Sequence, residues 1–307
     1  MKKYKCFIRL IALAVCFCIT FIFLNGCKEN ENKQVNKDGV LMNADALTKG
    51  KAHVIILSGQ SNATGQTLLS YLKQTATEKD YAEYEKGYNN IFIKYKVDDA
   101  TNSSKDFVPV TLGQGARRDK FGPEVGIASY LSKQFPEENF YIIKASWSGA
   151  GIAAHLGEQN HEYKEIINRF DEAFKLLEEK GLEPELFAFC WMHGETDALS
   201  MQNADNYYNL QSDFFSRTLK RYQKYAHPNG VAIIDAGISE YWKYNDIVNE
   251  YKEKYASEDK NRYYIDTQAQ KLTFALENDD FSHYDSLSMI KLGELFGECI
   301  AKVAVKK

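Results

Sequence analysis

Residues 53–65 read HVIILSGQSNATG. Four apolar residues, 54–57, run directly into Ser58-Gly59-Gln60-Ser61-Asn62. Such a run is either a buried strand closing in an ordinary turn or a strand that delivers a reactive serine to the edge of a sheet. A serine after a strand is most often a cap or turn former. The choice therefore rests on what the rest of the chain supplies.

Apolar runs of the same kind recur at 91–95, 140–145, 186–190, 231–235 and 263–265. Between them the spacing predicts helices over 123–134, 161–180, 204–226, 245–255 and 286–303. In the second of these, Ile166, Ile167, Phe170, Phe174 and Leu177 form one apolar stripe. Strands apolar throughout, alternating with amphipathic helices, predict an α/β fold with a parallel sheet covered on both faces. Ligands in such folds lie at the carboxyl ends of the strands, so the residues just after each strand become the candidates.

The start of the chain stands apart. Lys2, Lys3, Lys5 and Arg9 precede an apolar, uncharged run over 10–24, followed by Leu24-Asn25-Gly26-Cys27. This pattern is that of a secretory signal, and its run of 15 residues falls short of the roughly 20 that span a bilayer comfortably. The Leu-x-Gly-Cys ending resembles the lipobox of bacterial lipoproteins. The resemblance implies cleavage after residue 26, acylation of Cys27 and a lipid anchor in the bacterial cell envelope, periplasmic or at the cell surface. Several acyl chains make such an anchor stable. An ordinary signal with an incidental cysteine is the alternative. Residues 27–51 are polar and aperiodic and read as a tether, leaving 52–307 as one domain.

The 307 residues carry 38 basic and 42 acidic side chains. Loss of residues 1–26 removes four basic residues and no acidic one, leaving 34 against 42, a net −8. That balance argues against nucleic acid or anionic lipid as a substrate. Of six cysteines, only Cys190 and Cys299 lie in the body of the domain, and both read as buried free thiols, not as a disulfide framework.

Four polar, glycine-broken segments follow the strands or precede the last helix. They are Gly59-Gln60-Ser61-Asn62, Ser146-Trp147-Ser148-Gly149-Ala150-Gly151, Trp191-Met192-His193-Gly194-Glu195-Thr196-Asp197 and Asp280-Phe281-Ser282-His283. In the last, a spacing of three along a turn can place a carboxylate beside the imidazole Nδ1. The carboxylate then fixes the tautomer and leaves Nε2 to take a proton from a hydroxyl. A serine at one strand end and this pair at the far end of the chain, joined by one sheet, supply the parts from which an activated nucleophile is built, although each motif taken singly is common by chance.

In this order GQSN, KASWSGAG, WMHGETD and DFSH, together with FGPEVGIA over 121–128, resemble the SGNH hydrolase superfamily. More narrowly they resemble its sialate O-acetylesterase branch, which includes the carbohydrate esterase family 6 acetylxylan esterases. The similarity spans essentially 52–303. It implies a three-layer α/β/α sandwich with a mainly parallel sheet, of the SGNH or flavodoxin-like type, and removal of acetyl groups from sugar hydroxyls without a metal or organic cofactor. By position it implies Ser61 as nucleophile, His283 as general base and Asp280 as the residue that orients it. Ser58 becomes a bystander, and Asp279, off the spacing, a solvated neighbour. Gly149 and Ser61 supply backbone N–H groups to the oxyanion. The family often has Gly-Gly where this chain has Ser148-Gly149, and its third block usually carries Gln where this chain has His193. An imidazole can donate one N–H, so His193 is expected to serve the oxyanion in place of the amide, with little part in folding stability.

Other readings of these residues are weaker. His193, Glu195 and Asp197 lack the downstream Pro-Cys-x-x-Cys of zinc deaminases and any His-Glu-x-x-His, so no metal site is expected. Glu195 and Asp197 are instead expected to bond neighbouring loops, as the resemblance implies. The stretch 149–154 fits a dinucleotide fingerprint but follows an interior strand. An α/β-hydrolase elbow would need Gly at position 63, which is Ala. Most of the 20 tyrosines and the tryptophans are expected to be core and surface packing residues, though one or two near the strand ends could stack on sugar rings. Two alternatives remain on the same fold: a non-catalytic carbohydrate-binding lipoprotein, and an esterase for lipid or long-acyl substrates.

Overall fold

The computed structural model describes residues 50–275 and 280–304. The leader, Cys27, nearly all of the tether, and Asp279 lie outside the described residues. In chain order the elements are β1 (Lys51–Gly59), α1 (Ser61–Thr64), β2 (Thr67–Leu68), α2 (Leu69–Thr75), α3 (Glu78–Lys86), β3 (Tyr88–Tyr95) and β4 (Val108–Val110). There follow β5 (Lys120–Phe121), α4 (Glu124–Gln134), β6 (Phe140–Lys144), α5 (Ile152–His155), α6 (His161–Glu179), β7 (Glu183–Met192), α7 (Met201–Asp205) and α8 (Tyr207–Arg221). The last are β8 (Ala232–Ala236), α9 (Asn245–Ser257), β9 (Arg262–Ile265), β10 (Phe274–Ala275), β11 (Asp280–Tyr284) and α10 (Ser286–Ala304).

Seven strands form the main sheet in the order β4-β3-β6-β1-β7-β8-β9. Every pairing is parallel except β3 with β4. The apolar runs of β1, β7 and β8 are buried almost end to end, because helices cover both faces and leave no solvated side to alternate towards. The edge strand β4 is three residues long and carries exposed Pro109 at its centre, which discourages pairing with another chain. All six strands expected from sequence are present.

β1 lies between β6 and β7, so the chain leaves it in one direction and later returns on its other side. A crevice opens at such a reversal beyond the strand ends, and that is where residues 60–62 emerge. On one face α4 and α10 cross closely. A Cβ on Gly126 would stand 2.1 Å from the Ile290 carbonyl, and one on Gly293 2.1 Å from the Pro123 carbonyl. On the other face Phe170 of α6 and Phe214 and Phe215 of α8 pack their rings around Phe189 of β7.

The Gly-Pro-Glu block is a buried brace. Glu124 accepts the Gly122 N–H at 2.9 Å and pairs with Lys144 Nζ at 2.7 Å, which also donates to the Gln114 carbonyl at 3.0 Å. Both side chains are fully buried. This fixes the end of β6, from which the glycine-rich loop departs.

The helix expected over 204–226 is instead two helices. The chain breaks at Asn206 (φ −97°, ψ 1°), and α8 ends at Arg221 before a separate 3-10 turn at Gln223–Tyr225. Asn competes locally for backbone bonds, and its side chain here accepts from Asn209 Nδ2 at 2.9 Å. No helix among the described residues is long and apolar enough to cross a membrane.

Candidate active site

At the end of β1, Gly59 adopts φ +143°, and a Cβ there would stand 1.9 Å from the Met192 carbonyl oxygen. Glycine lets β1 and β7 close together at their tips. The next N–H, of Gln60, donates to that same carbonyl at 2.9 Å. The buried Gln60 amide then ties three segments together. Its Oε1 accepts from Thr196 N at 3.1 Å, and its Nε2 donates to Thr196 Oγ1 at 2.6 Å, which donates on to the Gly149 carbonyl at 3.1 Å.

Ser61 opens the short helix α1 and is partly exposed, while Asn62, Ala63 and Thr64 behind it are buried. Ser58 is fully buried inside the strand, out of reach of any substrate. The first N–H groups of a helix have no intrahelical acceptor, and the Ser61 N–H has no acceptor among the described residues. The Ser61 hydroxyl has no hydrogen-bond partner among the described residues. Contacts between nucleophile and base in free enzymes commonly tighten only with substrate.

His283 arrives on β11, whose only strand partner among the described residues is the two-residue β10. Its position is set by Asn62. Asn62 Oδ1 accepts the Tyr284 N–H at 3.3 Å, and Nδ2 donates to the Ser282 carbonyl at 3.3 Å and to Glu195 Oε1 at 3.1 Å. The residue after Ser61 thus grips the backbone on both sides of His283. Asp280 Oδ2 lies 2.6 Å from His283 Nδ1, while its Oδ1 accepts the N–H groups of Ser282 and His283 at 3.0 and 3.2 Å. A carboxylate only accepts, so Nδ1 carries the proton and Nε2 is left as the basic nitrogen.

The glycine-rich loop is held from several sides. Asp98, itself in a left-handed conformation (φ 47°), accepts from Ser148 N at 2.6 Å and Ser148 Oγ at 3.0 Å. Asp197 accepts from the N–H groups of Ile152 and Ala153 at 2.9 and 3.3 Å. Burial raises the Asp197 pKa above the usual carboxylate range, with those two N–H donors opposing it. Gly149 adopts φ +72°, and a Cβ there would meet nothing within 4 Å. Its N–H has no acceptor among the described residues.

His193 does not occupy the place expected of it. Its Nε2 lies 2.7 Å from the Ala150 carbonyl and its Nδ1 3.3 Å from the Tyr207 hydroxyl. A carbonyl can only accept, so Nε2 bears a hydrogen. Burial lowers the pKa to about 3, so the ring is neutral and Nδ1 accepts from Tyr207. No N–H is left for an oxyanion. The ring is fully buried and stacks on Trp191 at 4.6 Å. His193 therefore positions the glycine-rich loop from beneath.

Glu195 and Asp197 do bond neighbouring segments. Asp98, Thr196 and Tyr207 were not foreseen from sequence. Among the described residues, no group of three or more His, Cys, Asp or Glu side chains could hold a metal ion. Cys190 and Cys299 are both buried, and neither forms a disulfide among the described residues; burial pushes the Cys190 thiol pKa up.

The profile of the SASA family, described as carbohydrate esterase, sialic acid-specific acetylesterase, matches residues 51–302. No curated protein matches. Among solved structures, a protein from Arabidopsis thaliana superimposes with a TM-score of 0.61 at 17% identity, covering 82% of this chain and 98% of that one. The structure of NanS superimposes with a TM-score of 0.57 at 15% identity, covering 82% and 97%. At such identities these two likenesses speak to the fold. The family match over nearly the whole described chain, on a sheet whose strand ends converge as above, shows that the chain belongs to the sialic acid-specific acetylesterase family of carbohydrate esterases and is a carboxylic ester hydrolase.

Proposed function

We propose that the protein removes O-acetyl groups from an acetylated glycan by two-step acyl transfer through Ser61, His283 and Asp280. The observation that carries this reading is the Asn62 side chain, which bonds the backbone at 282 and 284 and so holds His283 beside the helix that Ser61 opens. In the first step Ser61 Oγ attacks the acetyl carbonyl while His283 Nε2 takes its proton. The developing oxyanion is met by the N–H groups of Ser61 and Gly149. The C–O bond to the sugar then breaks, and the sugar oxygen leaves with the proton from His283. Water, deprotonated by His283, attacks the acetyl-enzyme, and acetate leaves as the proton returns to Ser61.

Ser61→Ala and His283→Ala are each expected to lower acetate release from 4-nitrophenyl acetate by at least about 10³-fold. Wild-type rates in Ser61→Ala would overturn the acyl-enzyme route. Acetate release from acetylated xylan, pectin and O-acetylated sialic acid identifies the glycan. The envelope reading belongs to the same proposal: Cys27 acylation anchors the domain, and incorporation of labelled palmitate should vanish in Cys27→Ser.

A further inference from the structure

Large apolar side chains exposed in a group carry more information than single ones. Among the described residues, Tyr241 is 51% exposed and Phe281 43% exposed. The two rings stack on each other, with centroids 6.1 Å apart and planes inclined by 17°. They come from distant parts of the chain. Phe281 lies between Asp280 and His283 on β11, and Tyr241 follows β8 in the loop leading to α9.

The pair is built on a fixed base. Trp242 packs edge-on against Tyr241 at 5.3 Å, and Phe274 of β10 stands 6.5 Å away on the same ring. Asn245 Nδ2 holds the Trp242 carbonyl at 2.7 Å, and Asp280 fixes the backbone after Phe281. Two aromatic faces are thus presented to solvent, already ordered, at the lip of the proposed site. Rings of this kind meet apolar faces while polar edges remain wet. A pyranose has that character: C–H groups on its faces and hydroxyls around its edge.

Resting on the reading of Ser61 and His283 above, we propose that Tyr241 and Phe281 form a stacking subsite for a sugar ring neighbouring the acetylated one. The preferred substrate is then an oligo- or polysaccharide and not a free acetylated monosaccharide. His283 must reach the oxygen that leaves, so the acetylated ring lies against Nε2. A platform two residues away on the same strand is placed to receive the next ring of the chain.

The test compares kcat/KM on acetylated xylohexaose with acetylated xylose, and on acetylated hexagalacturonide with acetylated galacturonic acid. Wild type should prefer at least one hexamer over its monomer. That ratio should fall about tenfold in Tyr241→Ala and in Phe281→Ala, the scale of a lost aromatic stack. Tyr241→Phe and Phe281→Tyr should keep it. Absence of any hexamer preference in wild type, including no action on either hexamer, overturns the proposal, as does a preference that survives both alanine changes. Ser61→Ala separates the two readings. If it abolishes hydrolysis while the aromatic changes leave the ratio alone, only the platform falls; if it stays active, only the nucleophile assignment does.

Discussion

The imidazole of His193 donates to the backbone carbonyl of Ala150 at 2.7 Å and faces the loop that bears Gly149, not the space above it. Removing the ring strands the Ala150 carbonyl and the Tyr207 hydroxyl and opens a cavity against Trp191. His193→Ala should therefore cost about 2–4 kcal/mol of folding stability as well as activity. Urea midpoints and kcat/KM on 4-nitrophenyl acetate check both at once. A variant that is slow but as stable as wild type would return the residue to the direct oxyanion role expected from sequence.

Three buried histidines set a pH dependence of stability. Burial lowers the pKa of His53, His193 and His227 below 6.5, with Glu185 opposing it at His53 and His227. The folded state favours the neutral ring, so the unfolded chain binds more protons once the pH drops below about 6.5. Stability from His193 is full above that value and declines towards pH 3, by up to about 1.4 kcal/mol per pH unit. Unfolding midpoints measured from pH 7.5 to 5 should fall, and less steeply in His193→Gln. A flat profile would contradict this.

The sheet was legible because β1, β7 and β8 are buried on both faces and so carry uninterrupted apolar runs. What escaped was structure with little apolar signal. Helix α3 buries only Tyr84 and is marked mainly by the Thr77 cap, and β11 reads Asp-Phe-Ser-His-Tyr with no strand-like alternation. The break at Asn206 hides inside a pattern whose apolar spacing continues through it. In the site, spacing joined Asp280 to His283, which the structure brings to 2.6 Å. Asp98 and Tyr207 could not be found that way. Their partners, Ser148 and His193, are brought to them only by the folded loops. His193 was misplaced for a related reason: a motif position names a residue but not which way its ring turns.

Asn62 offers a direct check on what holds β11. In Asn62→Asp an oxygen replaces Nδ2 opposite both Glu195 Oε1 and the Ser282 carbonyl, now 3.1 and 3.3 Å from a donor. Three acceptors would face one another in a buried place, at a cost of about 3 kcal/mol. The variant should melt lower and lose about 10²-fold in kcat as His283 loses its register. Adding Glu195→Gln supplies an amide that can donate back, so the double variant should recover part of both. Equal melting temperatures for wild type and Asn62→Asp would remove this grip as the positioning device.

The buried pair of Lys144 and Glu124 lies at the root of the glycine-rich loop. Burial pushes the Lys144 ammonium below its usual pKa, and Glu124 opposes that. A pair shut away from water gains little over an apolar replacement, but either charge alone is strongly unfavourable. Lys144→Met should therefore destabilise by about 3–5 kcal/mol. Lys144→Met with Glu124→Gln should be clearly more stable than the single change, because the amide oxygen can still accept the Gly122 N–H without leaving a charge behind. Because Ala145 and Ser146 lead from Lys144 into the loop carrying Gly149, the single variant should also lose activity at temperatures where it remains folded. Denaturation curves for wild type, both singles and the double form a thermodynamic cycle. A coupling near zero would mean that the brace acts through shape alone, without its charges.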